Sequence, residues 1–207
     1  MARETVLATA RKYDKCDDDD LVRRSIDGDE TAKSALVSRY LPRMWRIAYL
    51  NCGASADVED LVQTAMMTAL ENLPAYRGPN RFKYWLDRLT VNVIRSHFRK
   101  TKLRRLFSQG VDVDQTSVDH PLGELRRLEA QELFQRLGKH VARIGEKNRM
   151  ALVLSVMHGY RASEIAEMTG CSIEAAWKRT RRGYDELMNR VSRDVELDRS
   201  LRELFYE

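Results

Sequence analysis

The sequence predicts an all-α fold of two small helical domains joined by a flexible linker. Apolar residues recur at spacings of three and four, strand-like alternation is absent, and glycine and proline are sparse, at 10 and 4 of 207 residues. A segment rich in Asp, Ser, Gln and Thr, LFSQGVDVDQTSVDHP at residues 106–121, breaks this helical period and is typical of a linker. A chain of this length can form two small hydrophobic cores.

Four or five helices are expected between Asp20 and about Lys102. The first spans Leu21 to Ile26, and a turn at Gly28 follows it. Two further helices are predicted from Glu30 to Tyr40 and from Pro42 to Asn51, with Pro42 placed as a first-turn proline.

Ser55 is placed to cap a longer helix. A loop at residues 74–80 separates it from the last helix of this half, Arg81 to about Arg104. The long helix carries one continuous apolar stripe, formed by Val58, Leu61, Val62, Ala65, Met66, Ala69 and Leu70.

After the linker, the apolar pattern predicts a smaller helical domain. Its helices are expected near residues 124–141, 146–158, 162–169 and 172–191. A C-terminal tail from Asp194 places four apolar residues on one helical face, and we expect that face to pack: Leu197, Leu201, Leu204 and Phe205.

The stretch SEIAEMTGCSIEAAWKRTRRGYDEL, residues 163–187, predicts a helix-turn-helix. Gly170 suits a positive-φ turn, and Ser172 suits an N-cap. Across the turn, we expect Ile165, Ala166 and Met168 to pack against Ile173, Ala176 and Thr180. That packing leaves Glu174, Trp177, Lys178, Arg181, Arg182 and Asp185 on the outer face of the second helix.

This outer face suits the major groove of duplex DNA. Glu174 is suited to accept from cytosine, Arg181 or Lys178 to donate to guanine, and Trp177 to cover a thymine methyl. The alternative is a solvated basic helix with Trp177 folded against its own domain.

The segment YRGPNRFKYWLDR, residues 76–88, interleaves four aromatic residues with four cations. Cations that follow phosphates and rings that stack on bases are what a single-strand site needs. Phe82 and Trp85 lie on an apolar helical stripe and are expected in the core. Tyr76, Tyr84 and the loop from Arg77 to Arg81 are the better candidates for base contact.

The preceding helix has an acidic polar face of Asp57, Glu59, Asp60, Gln63, Thr64 and Thr68. Acids in a first turn stabilise any helix, which is the structural alternative. A face of this kind in a basic domain repels DNA and suits a basic or amide-rich protein partner.

Charge and composition narrow the function class. The net charge is +5, and the cations are clustered: residues 88–111 hold seven Lys or Arg and no acid. The three cysteines have neither disulfide nor zinc spacing, so no metal or cofactor is expected. The four histidines have no paired ligand or nucleophile, so an enzyme is not expected. With no signal sequence and no apolar run of membrane-spanning length, we expect a cytoplasmic protein without membrane insertion.

Four segments in order resemble bacterial extracytoplasmic-function (group 4) sigma factors of the sigma-70 family: DLVRRSIDGDETA, ADVEDLVQTAMMTAL, YRGPNRFKYWLDRLTVNVIRSHFRK and GYRASEIAEMTGCSIEAAWKRTRRGYDEL. The resemblance implies that residues 20–105 are sigma region 2, that 106–126 are the linker, and that 127–192 are region 4. Residues 1–19 and 193–207 would be an N-terminal extension and a C-terminal tail.

The resemblance also implies partners. They are bacterial core RNA polymerase, through its beta and beta-prime subunits, and promoter DNA. Many members of this family are held inactive by an anti-sigma factor, which makes such a protein a further candidate partner. The acidic helix resembles the surface that docks on the polymerase clamp, which implies the polymerase-binding residues Asp57, Glu59, Asp60, Gln63 and Thr64.

Two groups of DNA-binding residues follow from the same resemblance. Those for the melted minus-ten element are Tyr76, Arg77, Asn80, Arg81, Tyr84, Arg88, Asn92, Arg95 and Arg99. Those for the duplex minus-thirty-five element are Ser172, Glu174, Ala175, Trp177, Lys178, Arg181 and Arg182. Trp177 departs from the family pattern, which usually has Lys at this position.

A second hypothesis is a conventional helix-turn-helix regulator that binds duplex DNA without polymerase. It predicts tight duplex binding by the protein alone. The aromatic and cationic segment at residues 76–88 argues against it, because a duplex reader has no use for stacking platforms.

Overall fold

The computed structural model describes residue 13 and residues 16–53, 55, 57–78, 81–107 and 126–199. Every regular element in these ranges is helical, as the apolar spacing predicted. The chain divides into two compact units, Met1–Ala48 with Glu59–Ser108 and Tyr49–Val58 with Gln109–Glu207. The domain bounds given above stay a prediction.

The helices of the first half follow the predicted order. They are α1 (Asp18–Ile26), α2 (Glu30–Cys52), α3 (Asp57–Asn72) and α4 (Phe82–Phe107), with a short 3-10 helix at Leu73–Ala75 between α3 and α4. The predicted stripe of α3 is buried from Val58 to Ala69, whereas Leu70 is half-buried. Ser55 Oγ accepts a hydrogen bond from the Asp57 amide at 3.2 Å, as expected of a residue that caps α3.

The prediction of two helices separated before Pro42 is wrong. Pro42 lies inside the single helix α2, where it removes one backbone hydrogen bond. The helix continues because an apolar face spans the proline: Leu36, Tyr40, Met44 and Ile47 are all buried. Tertiary packing of that face outweighs the local preference for a break.

The second half contains α5 (Arg126–Ala142), α6 (Glu146–Leu152), α7 (Ala162–Thr169) and α8 (Ile173–Val191). A π-helical turn at Val153–Met157 continues α6, so the helix predicted over 146–158 changes its winding near its end. Ile144, Leu154, Ile165 and Met168 form part of the core. In the tail, Leu197 is buried as predicted, and residues 201–207 lie outside the described residues. Most of the predicted linker, residues 108–121, also lies outside them.

Candidate nucleic-acid interface

The predicted helix-turn-helix is present in the second unit. Helix α7 ends at Gly170, whose φ of 61° is the left-handed conformation, and its amide donates to the Ala166 carbonyl. Ser172 then caps α8, because its Oγ accepts from the Ala175 amide at 3.1 Å. The local sequence therefore fixes both the end of one helix and the start of the next.

The contact across this turn differs from the prediction at one residue. Ile165, Met168 and Ala176 are buried as expected, and Thr180 Oγ1 donates to the Ala151 carbonyl at 3.5 Å. Ile173, however, is 59% exposed. As the first residue of α8, it lies one turn before Ala176, where the buried face of the helix begins.

The outer face of α8 is exposed as predicted. Trp177 is 57% exposed, so the alternative in which it folds against its own domain is wrong. Lys178 Nζ lies 2.6 Å from Glu174, and Arg181 Nε lies 3.4 Å from Asp185. Arg182 is exposed, Ser172 is exposed, and Ala175 is half-buried. The cations of this face are thus interleaved with acids on the same helix.

In the first unit, α4 presents a second exposed face. Four of the predicted minus-ten residues recur along it at helical spacing and are exposed: Arg88, Asn92, Arg95 and Arg99. Arg81, also exposed, precedes the helix. Eighteen residues separate Arg81 from Arg99, so this face extends over about 27 Å at ~1.5 Å per residue. Its length and charge suit a nucleic-acid backbone.

The loop before α4 is organised by Tyr76. Its hydroxyl donates to the Gly78 carbonyl and accepts from the Arg81 amide at 3.2 Å. Its ring lies 5.5 Å from the Phe82 ring and 5.3 Å from the Trp85 ring. Burial raises the pKa of the Tyr76 hydroxyl. Tyr76 therefore shapes the loop and belongs to an aromatic cluster.

The two arginines beside Tyr76, Arg77 and Arg81, are more exposed to solvent than Tyr76 is. Arg77 is exposed, and its guanidinium donates to the Pro74 and Tyr76 carbonyls at 2.6 and 2.8 Å. The Arg81 guanidinium lies over the Tyr84 ring, 5.2 Å from its centroid. Phe82 is buried as predicted and Trp85 is half-buried. Asn80 lies outside the described residues.

A buried ion pair holds α4, and no sequence pattern predicted it. Asp87 is fully buried, and the Arg43 guanidinium on α2 donates to both of its oxygens, with Nε 2.9 Å from each. The two residues are 44 positions apart, so no local pattern links them. Because Asp87 directly precedes Arg88, this pair fixes the helix within the stretch that carries the exposed cationic face.

The acidic face of α3 is solvent-accessible from Asp57 to Thr64, whereas Thr68, at its predicted end, is half-buried. Asp57, Glu59, Asp60, Gln63 and Thr64 are all exposed. Sequence reasoning missed Met67, which is 55% exposed and lies one turn beyond Gln63 on the same face. Met67 is not part of the apolar stripe of α3, and this could have indicated from the sequence that its side chain is exposed. The face is therefore a polar surface with one large apolar side chain, a composition suited to a protein partner.

The acidic run at Asp17–Asp20 starts α1. The Asp17 carboxylate accepts from the Asp20 amide at 2.7 Å, and Asp18 lies 2.8 Å from Arg39 on α2. Asp17, Asp19 and Asp20 also line an open cavity of about 790 Å³, together with Arg77 of the loop. These acids stabilise the start of α1 and place negative charge beside the loop.

Neither a membrane-spanning helix nor a metal-binding cluster is present among the described residues. None of their helices is both long and apolar enough to cross a membrane. Within the same ranges, no group of three or more His, Cys, Asp or Glu side chains is arranged to hold a metal ion.

Several known proteins are similar to this chain. The ECF RNA polymerase sigma-E factor of Escherichia coli (strain K12) is 29% identical over 180 residues, which cover 83% of this chain and 92% of that protein. The sigma factor RpoE, solved in complex with the anti-sigma factor NepR from Bartonella quintana, matches with a TM-score of 0.58 and 22% identity over 74% of this chain and 92% of that one. CnrH, solved in complex with the cytosolic domain of CnrY, matches with a TM-score of 0.55 and 24% identity over 84% of this chain and 96% of that one. These two structures support the fold.

Two family models match the two halves of the chain. Residues 36–104 match Sigma-70 region 2, and residues 135–187 match Sigma-70, region 4. The first match contains α3 and most of α4, and the second contains the helix-turn-helix. Together with the sigma-E relative, these matches show that the chain belongs to the sigma-70 family of sigma factors, in its extracytoplasmic-function (ECF) group.

Proposed function

We propose that this protein binds bacterial core RNA polymerase and directs promoter-specific transcription initiation. It reads the minus-thirty-five element as duplex through α8 and the minus-ten element as a melted strand through α4 and the loop before it. The observation that carries the proposal is the pairing of two exposed cationic helix faces on separate units, each within its own sigma-70 match.

The α8 face supports duplex reading because a capped recognition helix with exposed cations fits the major groove. Each bidentate base contact supplies roughly 1–3 kcal/mol of discrimination, so a few contacts make a weak reader. Attachment of both readers to one enzyme raises their effective concentration on the same promoter.

The α4 face supports contact with a melted strand. Its cations can follow the phosphates of one strand along the roughly 27 Å length of the face. Tyr84 and the loop at residues 76–78 lie at one end of this face, where a ring and a polar loop can hold an unstacked base.

The α3 face is proposed to bind polymerase. Asp57, Asp60 and Gln63 offer carboxylates and an amide, and Met67 adds an apolar contact. The α3 face is acidic, whereas the α4 face is basic. A protein partner and DNA can therefore bind to different faces without competing for one surface. An anti-sigma factor as a further partner stays a prediction from the family resemblance.

The test is reconstitution with core polymerase on genomic DNA, with sequencing of the transcripts. We expect initiation at a defined set of sites that share two elements. Tight duplex binding by the protein alone, with no polymerase binding, would support the conventional regulator instead.

Four variants separate the surfaces within the same assay. Arg181→Ala should weaken recognition of the upstream element, and Asp60→Ala should weaken polymerase binding. Tyr84→Ala and Asn92→Ala should slow melting with little change in closed-complex binding. Identical defects in all four would contradict the division of labour.

A further inference from the structure

Two exposed apolar side chains stand at the start of the recognition helix. Ile173, the first residue of α8, is 59% exposed, and Trp177 is 57% exposed. Residues four apart on a helix share a face, with their Cβ atoms about 5–6 Å apart. Ile173 and Trp177 are therefore one continuous apolar surface, here called the apolar pair.

The position of this pair suits base contact. In a helix-turn-helix, the N-terminal residues of the second helix contact the base edges. Ile173 directly follows the cap formed by Ser172, and Trp177 lies one turn further along. Arg182 on the same helix is exposed and makes no ion pair among the described residues, so it is available to a phosphate.

The polar neighbours of the pair are already engaged. Glu174 lies between Ile173 and Trp177 in sequence, and its carboxylate accepts from Lys178 Nζ at 2.6 Å. Within the described structure, the side chains that protrude from the first turns of α8 are thus an internal ion pair and the apolar pair. The apolar group that base edges present in the major groove is the C5-methyl of thymine.

We propose that Ile173 and Trp177 read thymine methyl groups in the upstream promoter element. This inference rests on the proposed function of α8 as a duplex reader. Four residues advance the helix by about 6 Å, and successive bases are about 3.4 Å apart, so the two side chains reach methyl groups one or two base steps apart. The upstream element is therefore expected to contain two thymines at that separation.

The test replaces single thymines by deoxyuridine, which removes the C5-methyl group and leaves the hydrogen-bonding edge intact. The promoter is first identified by sequencing transcripts from the reconstituted holoenzyme. Synthetic templates then carry one deoxyuridine at each upstream thymine in turn, and transcript yield is measured at limiting holoenzyme. For the wild-type protein we expect about a fourfold loss at each contacted thymine, the size of one buried methyl or methylene contact.

Variants assign each methyl to a side chain. Trp177→Ala should lower the yield on the thymine promoter and abolish sensitivity to deoxyuridine at one position, and Ile173→Ala should do so at the other. Tyr184→Ala is the matched control, because Tyr184 is an exposed aromatic residue on α8 two turns beyond Trp177. It should retain full sensitivity at both positions.

The outcomes separate this inference from the function it rests on. Absence of any specific initiation would count against the proposed function itself. If the wild-type protein initiates equally well on thymine and deoxyuridine templates, or if the upstream element contains no thymine, the inference is overturned but the proposed function is not. The inference would also be overturned if Trp177→Ala lowered the yield by the same factor on thymine and deoxyuridine templates, so that sensitivity to deoxyuridine was retained. That result would indicate that Trp177 contacts a protein instead.

Discussion

Helices α4 and α8 both expose cations, but their charges are arranged differently. No acid follows Asp87 in α4, so its face from Arg88 to Arg99 is a simple cationic track. On α8, Lys178 is paired with Glu174, and Arg181 is paired with Asp185. A uniform track attracts any phosphate backbone, whereas paired charges leave more of the recognition to specific contacts. We therefore propose that α4 supplies affinity for DNA and that α8 supplies discrimination between sequences.

The two helices are also anchored differently. Buried charges hold α4, through Arg43 and Asp87. Close backbone packing holds α8 at Gly183, where a Cβ atom would lie 2.8 Å from the Asn148 carbonyl oxygen on α6. Removal of one member of the Arg43 and Asp87 pair should therefore destabilise the first unit. A methyl group added at Gly183 should destabilise the second.

The largest effect is expected from Asp87→Ala. This change leaves the Arg43 charge, on a side chain only 15% exposed, without its carboxylate partner. Loss of one partner from a buried pair costs about 3–5 kcal/mol. Urea unfolding followed by circular dichroism measures the loss, and hydrogen exchange should assign it to the first unit.

The matched control for the buried pair is the double variant Arg43→Met with Asp87→Leu. It replaces both charges by apolar side chains, so no buried charge remains. We expect it to be more stable than Asp87→Ala. A double variant at least as unstable as Asp87→Ala would show that the shape of the site, and not its charge balance, holds α4.

A smaller effect is expected from Gly183→Ala. The new methyl group would also lie 3.0 Å from Leu152 Cβ, so α8 must move away from α6. Overpacking of this kind costs about 1–3 kcal/mol, offset by up to ~1 kcal/mol from the better helix propensity of alanine. Thermal unfolding should show a net loss confined to the second unit.

Gly145→Ala is the control for this packing argument. No atom lies within 4 Å of a Cβ built at Gly145, and its φ of −58° suits any residue. Gly145 is the N-cap of α6, where alanine is less favourable than glycine, so this variant should lose only about 0.5 kcal/mol. Equal losses from the two substitutions would contradict close packing as the anchor of α8.

A pH-dependent effect is expected at the end of the second unit. Arg136 and His140 on α5 both bind the Asp194 carboxylate, at 2.8 Å each, and they hold its pKa well below its usual range. A depressed carboxylate pKa contributes stability that is complete above the ordinary Asp pKa of about 4 and is lost as the pH falls below it. Asp194→Asn should therefore narrow the gap in stability between pH 6 and pH 3. If the stability of Asp194→Asn falls between pH 6 and pH 3 by as much as that of the wild type, this carboxylate does not stabilise the unit.

Local chemistry explains which parts of the molecule could be predicted. The turn at Gly170 and the cap at Ser172 depend on backbone preferences of single residues, and both were predicted from the sequence. Pro42 was misleading because its local preference is overruled by packing along α2. The Arg43 and Asp87 pair joins residues 44 positions apart, which a one-dimensional pattern does not relate.

The candidate site divides in the same way. The exposed residues of α4 were predicted from the family resemblance, whereas those of α8 were placed on their face by helical spacing alone. Helical spacing misplaced Ile173 because a residue at the edge of an apolar stripe is buried only where a partner helix reaches it. Whether Tyr76 packs or stacks was likewise beyond the sequence, since its position depends on the Gly78 carbonyl and the Phe82 ring.

The smallest effect on stability is expected from Glu174→Ala, and it tests the comparison directly. Glu174 and Lys178 are 75% and 55% exposed, and an exposed pair at this spacing is worth only about 0.3–0.5 kcal/mol. Loss of the acid, however, releases Lys178 and removes a negative charge from the face that we propose binds DNA. If α8 discriminates because its charges are paired, the variant should bind unrelated duplexes more tightly and lose preference for its own promoter. Its salt dependence should steepen by up to about 0.9 in log–log slope, the value for one added phosphate contact. Unchanged binding to unrelated duplexes would show that the ion pair does not set the specificity of α8.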